Sequence, residues 1–172
     1  MRTVHTTSAD ETREFGRELA RDLRPGDVVT LDGELGAGKT QLAKGIAAGL
    51  GVTAELTSPT YAICETYPIP PRPAPEAAPG PAPAPSPEVP PESAAAPAAP
   101  LAPAPELNHL DLYRLDDASQ LDDIGFYETL ESGGISLIEW ARKFPDAIPP
   151  AHIEVAISVL ADGTREISIT RS

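Results

Sequence analysis

The stretch LDGELGAGKTQLAKG (residues 31–45) carries glycines, a lysine and a threonine at the spacing of a phosphate-binding loop. In Gly33-x-x-x-x-Gly38-Lys39-Thr40, consecutive backbone N–H groups and a helix N-terminus would attract phosphate oxygens. Lys39 is expected to reach the outer phosphates, and the Thr40 hydroxyl to bind Mg²⁺. Glycines are needed because a Cβ would block the close approach of the backbone. We predict a phosphate site formed by Gly33, Gly36, Ala37, Gly38, Lys39, Thr40 and Gln41.

Two acidic residues in apolar, strand-like runs are candidates for work at the metal. Glu139 ends the run SLIE, and Asp111 stands inside the run HLDLYRL. Because the carboxyl ends of parallel strands meet at the phosphate loop, a strand-end acid lies where Mg²⁺ binds. We predict that Glu139 is a metal ligand together with Thr40, and that Asp111 acts indirectly or positions water. For each acid, an ordinary surface position is the alternative.

The segment TSPTY (residues 57–61) is a candidate switch. Hydroxyls at Ser58 and Thr60 could reach the γ-phosphate or its magnesium and so order the loop when a triphosphate is bound. On this ground we count Thr60 among the candidate catalytic residues. A plain turn into a strand explains the same residues equally well on local sequence.

The order of the predicted elements places the glycine loop between a strand and a helix, as the motif requires. Ser8-x-x-Glu11 is a capping box that begins a first helix, and Phe15, Leu19 and Leu23 follow at spacings of four. Later runs predict strands, an acidic helical region and a hairpin around an Asp-Gly turn. These runs are VVTL, LNHLDLYRL, DDASQLDDIGFYETLESGG, ISLIEW, and IEVAISVL with REISIT.

Residues 68–106 interrupt a chain that otherwise forms one α/β domain over residues 1–172. They hold 16 of the 21 prolines and 12 alanines and show no apolar periodicity. Such a segment cannot bury enough apolar surface to offset the entropy of ordering, so we predict that it is disordered. A tolerated loop insertion is the simplest interpretation, because added loop length costs little. A ligand for proline-binding domains and a tether are the alternatives.

The composition narrows the class of partner. The formal net charge is −13, and one of only three lysines is Lys39. Direct binding to nucleic acid or anionic membrane is disfavoured, because phosphate contacts need clustered cations. The single cysteine, Cys64, excludes an internal disulfide and is expected in a strand rather than as a nucleophile. No apolar run approaches the roughly 18 residues that span a bilayer, so we expect a cytoplasmic protein.

Taken in order, GELGAGKT, SPTY, HLDLYRL and LIEW resemble the motifs of the TsaE family. These are small bacterial ATPases required for the threonylcarbamoyl modification of the adenosine beside the tRNA anticodon. The resemblance covers about residues 8–67 and 107–170. It implies a three-layer α/β fold of the P-loop NTPase type, with a mostly parallel sheet and a C-terminal antiparallel hairpin. The insertion at 68–106 departs from the family, whose members usually join the flanking strands by a short turn.

The resemblance also implies cofactors, partners and residue roles. ATP and Mg²⁺ are the expected cofactors. Homologues of TsaD and TsaB are the expected partners, and tRNA is reached only through that complex. ATP hydrolysis would support repeated turnover rather than the carbamoyl transfer itself. By motif, Thr40 and Glu139 hold Mg²⁺ and Asp111 is the Walker-B-like acid, while Thr12 and Arg165 are the expected neighbours of the nucleotide base.

Other classes of protein stay open from the residues alone. A small P-loop kinase would need several lid arginines for a second substrate, and the long insertion contains just Arg72. A nucleotide-gated assembly factor would bind ATP with little hydrolysis, and an adaptor could use the proline-rich segment. A GTPase is disfavoured because no Asn/Thr-Lys-x-Asp sequence occurs.

Overall fold

One seven-stranded sheet organises the chain in a computed structural model that describes residues 1–57, 59, 63–71 and 105–172. The strands are β1 (Arg2–Thr6), β2 (Val28–Gly33), β3 (Cys64–Pro68), β4 (Glu106–Asp111), β5 (Ile135–Glu139), β6 (Ile153–Val159) and β7 (Arg165–Arg171). The α-helices among the described residues are α1 (Ala9–Leu19), α2 (Lys39–Gly49), α3 (Gln120–Asp123) and α4 (Phe126–Glu131).

The strands lie in the order β1-β7-β6-β2-β5-β4-β3. The central four, β6, β2, β5 and β4, are parallel, whereas β1 with β7, β7 with β6 and β3 with β4 are antiparallel. Parallel strands end at one edge of the sheet. The glycine-rich loop leaves the end of β2, so it lies beside the ends of β5 and, one strand further, β4.

Helices cover both faces of the sheet. Val29 and Leu31 of β2 pack with apolar side chains of α1 and α2, whereas Val28 packs on the side of α3 and α4. This alternation buries strands on both faces, which explains why their sequences are nearly continuous apolar runs. No helix in the described part of the chain is long and apolar enough to cross a membrane.

The predicted cap of α1 is present, with one change of partner. The Ser8 hydroxyl accepts a hydrogen bond from the Glu11 N–H at 3.1 Å. The Glu11 carboxylate accepts from the Thr7 N–H at 2.7 Å, one residue earlier than a standard capping box. This bond is the main reason that the pKa of Glu11 is lowered.

Two features of the sheet correct the prediction. The sheet is mixed rather than mostly parallel, because three of its six neighbouring pairs are antiparallel. Strand β1 was not predicted, because it is only five residues long and is mostly exposed at an edge of the sheet. The predicted hairpin of β6 and β7 is confirmed, but it lies inside the sheet, between β2 and β1.

The predicted bounds of the insertion, 68–106, are too wide. Pro68 ends β3 and Glu106 begins β4. Ile69 is buried, and its N–H donates to the Pro105 carbonyl at 2.9 Å. Ile69 and Pro105 thus continue the pairing of β3 with β4 by one further residue on each side. Composition alone does not reveal this pairing. Residues 72–104 lie outside the described residues, so their disorder stays a prediction.

Candidate functional site

The glycine-rich loop joins the end of β2 to the start of α2. Gly33, Gly36 and Gly38 have φ angles of 150°, 81° and 115°, which L side chains rarely adopt. A Cβ at Gly33 would also lie only 2.5 Å from the carbonyl oxygen of Ile157. The first N–H groups of a helix have no partner within it. The loop therefore brings glycine backbone and the α2 N-terminus together at the carboxyl edge of the parallel strands.

Lys39 lies beneath this loop and is only 5 % exposed. Its Nζ donates to the carbonyl oxygens of Gly33 at 2.8 Å and Glu34 at 3.1 Å. The same Nζ lies 4.3 Å from the centre of the Trp140 ring. Burial lowers the pKa of Lys39, and nearby carboxylates oppose this shift. A poorly hydrated ammonium in such a place attracts an anion more strongly than one in bulk water.

Asp111 and Glu139 end the neighbouring parallel strands β4 and β5 and are paired in register. Each is only 3 % exposed. The expectation that Asp111 lies within a longer strand over residues 107–115 is wrong. The chain leaves the sheet after Asp111, where its Oδ1 accepts from the Tyr113 N–H at 3.0 Å. Both acids are therefore strand-end acids.

The Glu139 carboxylate connects the loop to the sheet. Its Oε1 accepts from the Thr40 hydroxyl at 3.4 Å and from His109 Nε2 at 3.0 Å. His109 lies two residues before Asp111 and so on the same face of β4. The sequence alone does not indicate this role of His109, because a contact between side chains of two strands is not visible in a local pattern.

An aromatic wall borders the two acids. Trp140 follows Glu139 with φ of 62°, a conformation that costs free energy in a non-glycine residue. Its ring centre lies 5.0 Å from that of Tyr113. The Trp140 ring also contacts Lys39 and lines the cleft, so it does more than pack in the core. The cleft has a volume of about 260 Å³.

Most of the predicted site residues line this one cleft: Gly36, Gly38, Lys39, Thr40, Gln41, Asp111 and Glu139. Gly33 lies at the start of the loop and accepts from Lys39. The Ala37 N–H donates to the Glu34 carbonyl at 3.1 Å and is thus used within the loop. Thr60 and Ser58 lie outside the described residues, so the switch stays a prediction.

Thr12 and Arg165 lie at the back of the loop rather than in the lining of the cleft. A Cβ built on Gly38 would be 3.3 Å from Arg165 Nε and 3.9 Å from Thr12 Cγ2. Arg165 Nε donates to the Ala37 carbonyl at 3.1 Å. Thr12 is fully buried, and its hydroxyl donates to the Ser8 carbonyl at 2.9 Å. The geometry therefore gives Arg165 a contact with the loop backbone, and Thr12 a place in the core.

Fold and site together define a class: a single-sheet α/β protein whose lysine-bearing glycine loop faces two buried strand-end carboxylates. The family model described as "Threonylcarbamoyl adenosine biosynthesis protein TsaE" matches residues 6–74 and 98–167. The match covers well over half of the chain. This chain belongs to the TsaE family.

Individual relatives support the same assignment. The chain is 32% identical over 165 residues to the tRNA threonylcarbamoyladenosine biosynthesis protein TsaE of Bacillus subtilis, covering 96% of this chain and 82% of that protein. It is 32% identical over 169 residues to the protein of the same name from Treponema pallidum, covering 98% and 99%. Among solved structures, Bacillus subtilis YdiB matches with a TM-score of 0.65 and 27% identity, covering 99% of this chain and 84% of that one.

Proposed function

We propose that this chain is a magnesium-dependent ATPase of the P-loop type, acting in the cytoplasm in threonylcarbamoyladenosine biosynthesis on tRNA. The observation that carries the proposal is that Lys39 and Thr40 of the loop share one cleft with Asp111 and Glu139. The pathway follows from family membership and from the names of the relatives.

The loop is proposed to bind the triphosphate. In the described structure the Lys39 ammonium bonds two neutral carbonyl oxygens, those of Gly33 and Glu34. Phosphate oxygens would give it charged acceptors, and charge-assisted hydrogen bonds are the stronger kind. The α2 N-terminus adds about half a positive charge at the same edge of the sheet. Both effects favour an anion with several charges over a neutral ligand.

The donor set in the cleft fits Mg²⁺. Mg²⁺ prefers oxygen ligands and binds through one or two carboxylates plus substrate phosphates. Thr40 and Glu139 offer a hydroxyl and a carboxylate that already contact each other. No group of three or more His, Cys, Asp and Glu among the described residues could hold a metal by itself. The metal would thus be shared between the chain and the nucleotide, and the chemistry it would supply is neutralisation of charge on the transferred phosphoryl group.

Asp111 is proposed to orient the attacking water. It lies beside Glu139 in register and is held by the Tyr113 N–H, so its carboxylate has a defined position in the cleft. Strand β4 thus ends in an acid, and the turn that follows supplies the backbone donor that fixes this acid. A fixed carboxylate contributes by orientation, which is where most of the catalysis of phosphoryl transfer lies.

Homologues of TsaB and TsaD are the proposed partners, with hydrolysis supporting their repeated turnover. The formal charge of −13 makes direct contact with RNA phosphates unfavourable, so the partners would supply the basic surface. A second candidate is an ATP-gated assembly factor with little hydrolysis. Such a factor would offer its partner Leu35, an apolar side chain of the loop that lines the cleft and is 83 % exposed.

The test compares ATP turnover by the purified chain alone with turnover in the presence of the TsaB–TsaD pair, at millimolar Mg²⁺. We expect slow turnover alone and a clear rise with the pair. Lys39→Ala should reduce the stimulated rate by about 100-fold or more, as loss of a phosphate-stabilising charge does. Glu139→Ala should remove most of the dependence on Mg²⁺.

The matched control is Lys44→Ala, a lysine of the same helix that lies outside the cleft and faces Glu55 at 3.9 Å. It should keep the wild-type rate. Support of tRNA modification by the Lys39→Ala protein would contradict the ATPase proposal. Nucleotide-dependent association with the pair, without stimulated turnover, would favour the assembly factor. Absence of any calorimetric heat with Mg·ATP, alone or with the pair, would exclude both.

A further inference from the structure

His109 is a buried polar side chain with one hydrogen-bonded target. It is 0 % exposed and lies in β4, a strand that also holds two buried leucines and ends at the site residue Asp111. Its Nε2 donates to Glu139 Oε1 at 3.0 Å, and its Nδ1 has no hydrogen-bond partner in the described part of the chain. Burying an imidazole costs free energy unless its polar atoms are paired. The pairing that is present is made with the carboxylate at the end of the next strand.

The position of His109 follows from the sheet. Strands β4 and β5 are parallel, with His109 beside Leu137 and Asp111 beside Glu139. Side chains two residues apart on a strand share a face. The imidazole therefore lies two residues before the strand-end acids, further from the loop. It contacts Glu139 diagonally across the β4–β5 pair.

Within the described part of the chain, the geometry leaves one carboxylate oxygen of Glu139 for another ligand. Both hydrogen bonds that the described residues donate to this carboxylate, from His109 and Thr40, end on Oε1. Two hydrogen bonds to one oxygen restrict the rotation of the whole carboxylate about the terminal bond of the side chain. The orientation of the second oxygen, Oε2, is then determined as well.

We propose that His109 is a positioning residue that holds the Glu139 carboxylate in the orientation needed for the Mg²⁺ of bound ATP. This inference rests on the proposed function and adds a residue that touches neither metal nor nucleotide. Groups that orient metal-binding carboxylates change metal affinity by about 10–100-fold when they are removed. An imidazole that only filled space would be replaceable by an apolar side chain of similar size.

The experiment measures the Kd of ATP by calorimetry at a series of Mg²⁺ concentrations, and again in EDTA. In His109→Met, which lacks the donor, the Mg²⁺ concentration for half-maximal tightening should rise about 10–100-fold. Binding in EDTA should be unchanged. His109→Gln keeps an N–H donor at nearly the same reach and should restore most of the Mg²⁺ dependence.

Asn108→Leu is the matched control. Asn108 precedes His109 on the same strand and is also buried, but its side chain bonds Thr66 and Ser132, away from the cleft. It should lower stability without changing the Mg²⁺ dependence. Because the Met variant can fail to fold, His109→Leu serves as a second donor-free variant, with thermal unfolding recorded for each.

The outcomes separate the two proposals. A folded, donor-free variant with the wild-type Mg²⁺ dependence would overturn the positioning role and leave the ATPase proposal standing. A wild-type protein whose ATP affinity does not respond to Mg²⁺ would overturn the proposed function, and this inference with it. Equal loss in the Gln and Met variants would show that size rather than the donor matters, and would also overturn the positioning role.

Discussion

Burial acts in opposite directions on two charged residues near the loop. It lowers the pKa of Lys39 and raises the pKa of Asp32, because removal from water disfavours the charged form of each. Lys39 lies beside the acids of the cleft, Glu139 and Asp111, which oppose the lowering of its pKa. Asp32 lies in β2 on the face away from α1 and α2. Arg142 is at 3.4 Å, and Glu154 is also nearby. At both positions, the charged form costs folding free energy at neutral pH.

We predict that Asp32→Asn raises the melting temperature at pH 7. A carboxyl whose pKa is raised on folding binds more protons in the folded state, so its ionisation lowers stability as pH rises through that pKa. The ion pair with Arg142 offsets little, because the Arg142 side chain is largely exposed. The advantage of the variant should therefore shrink as pH falls through the raised pKa towards the ordinary value of 3.8.

The measurement is thermal unfolding of both proteins at intervals from pH 7 downwards. Asp22→Asn, at an exposed position, controls for the general effect of removing one negative charge from an acidic protein. If the difference in melting temperature between Asp32→Asn and the wild type stays constant across this pH range, then Arg142 stabilises ionised Asp32 adequately.

At the scale of elements, α1 and α2 are held close by glycines. A Cβ at Gly45 would lie 2.1 Å from the Arg13 carbonyl oxygen, and one at Gly16 would lie 2.5 Å from that of Leu42. Both contacts are shorter than any real Cβ contact and involve backbone, which cannot move aside cheaply. The close packing of the helix pair that positions the loop therefore depends on the absence of a side chain at both positions.

We predict that Gly45→Ala destabilises the protein, although alanine is the better helix former by about 1 kcal/mol. Overpacking at a backbone contact costs about 1–3 kcal/mol and would push α1 away from α2. The measurement is the free energy of unfolding in urea. Ala48→Gly, at an exposed position on α2, isolates the effect of helix propensity and should cost about 1 kcal/mol. An equally or more stable Gly45→Ala protein would mean that α1 can shift without loss.

At the scale of the whole molecule, the folded domain and the proline-rich segment are predicted to be independent. Replacing residues 72–104 by a short Gly/Asn turn should leave the melting temperature within a few degrees of the parent, because Pro68 and Glu106 already pair across β3 and β4. Binding of Mg·ATP should be unchanged as well. Both are measured on the full chain and on the shortened chain.

A wider excision, of residues 69–105, is the contrasting variant. It also removes Ile69, which is 8 % exposed in the core, and the hydrogen bond from Ile69 to Pro105. We expect the wider excision to lower the melting temperature more than the narrower one does. A large fall with the narrow excision would show that the segment contributes to the fold.

Features that depend on neighbours a few residues away were predicted well. The glycine loop, the helix that follows it, strand β5 up to Glu139 and the hairpin of β6 and β7 all follow from local spacing. Strand β1 was missed, because an exposed edge strand of five residues has little apolar pattern. The turn that ends β4 at Asp111 was missed because the apolar run continues beyond it.

The sequence by itself determined that a phosphate-type loop, a lysine and two acids occur in one chain, and in which order. Only the tertiary structure decided that β4 and β5 pair in the register that sets Asp111 beside Glu139. The same pairing brings His109 to Glu139, and burial beneath the loop changes the pKa of Lys39. The physical reason is that strand register and desolvation depend on residues far apart in the chain. No local pattern contains that information.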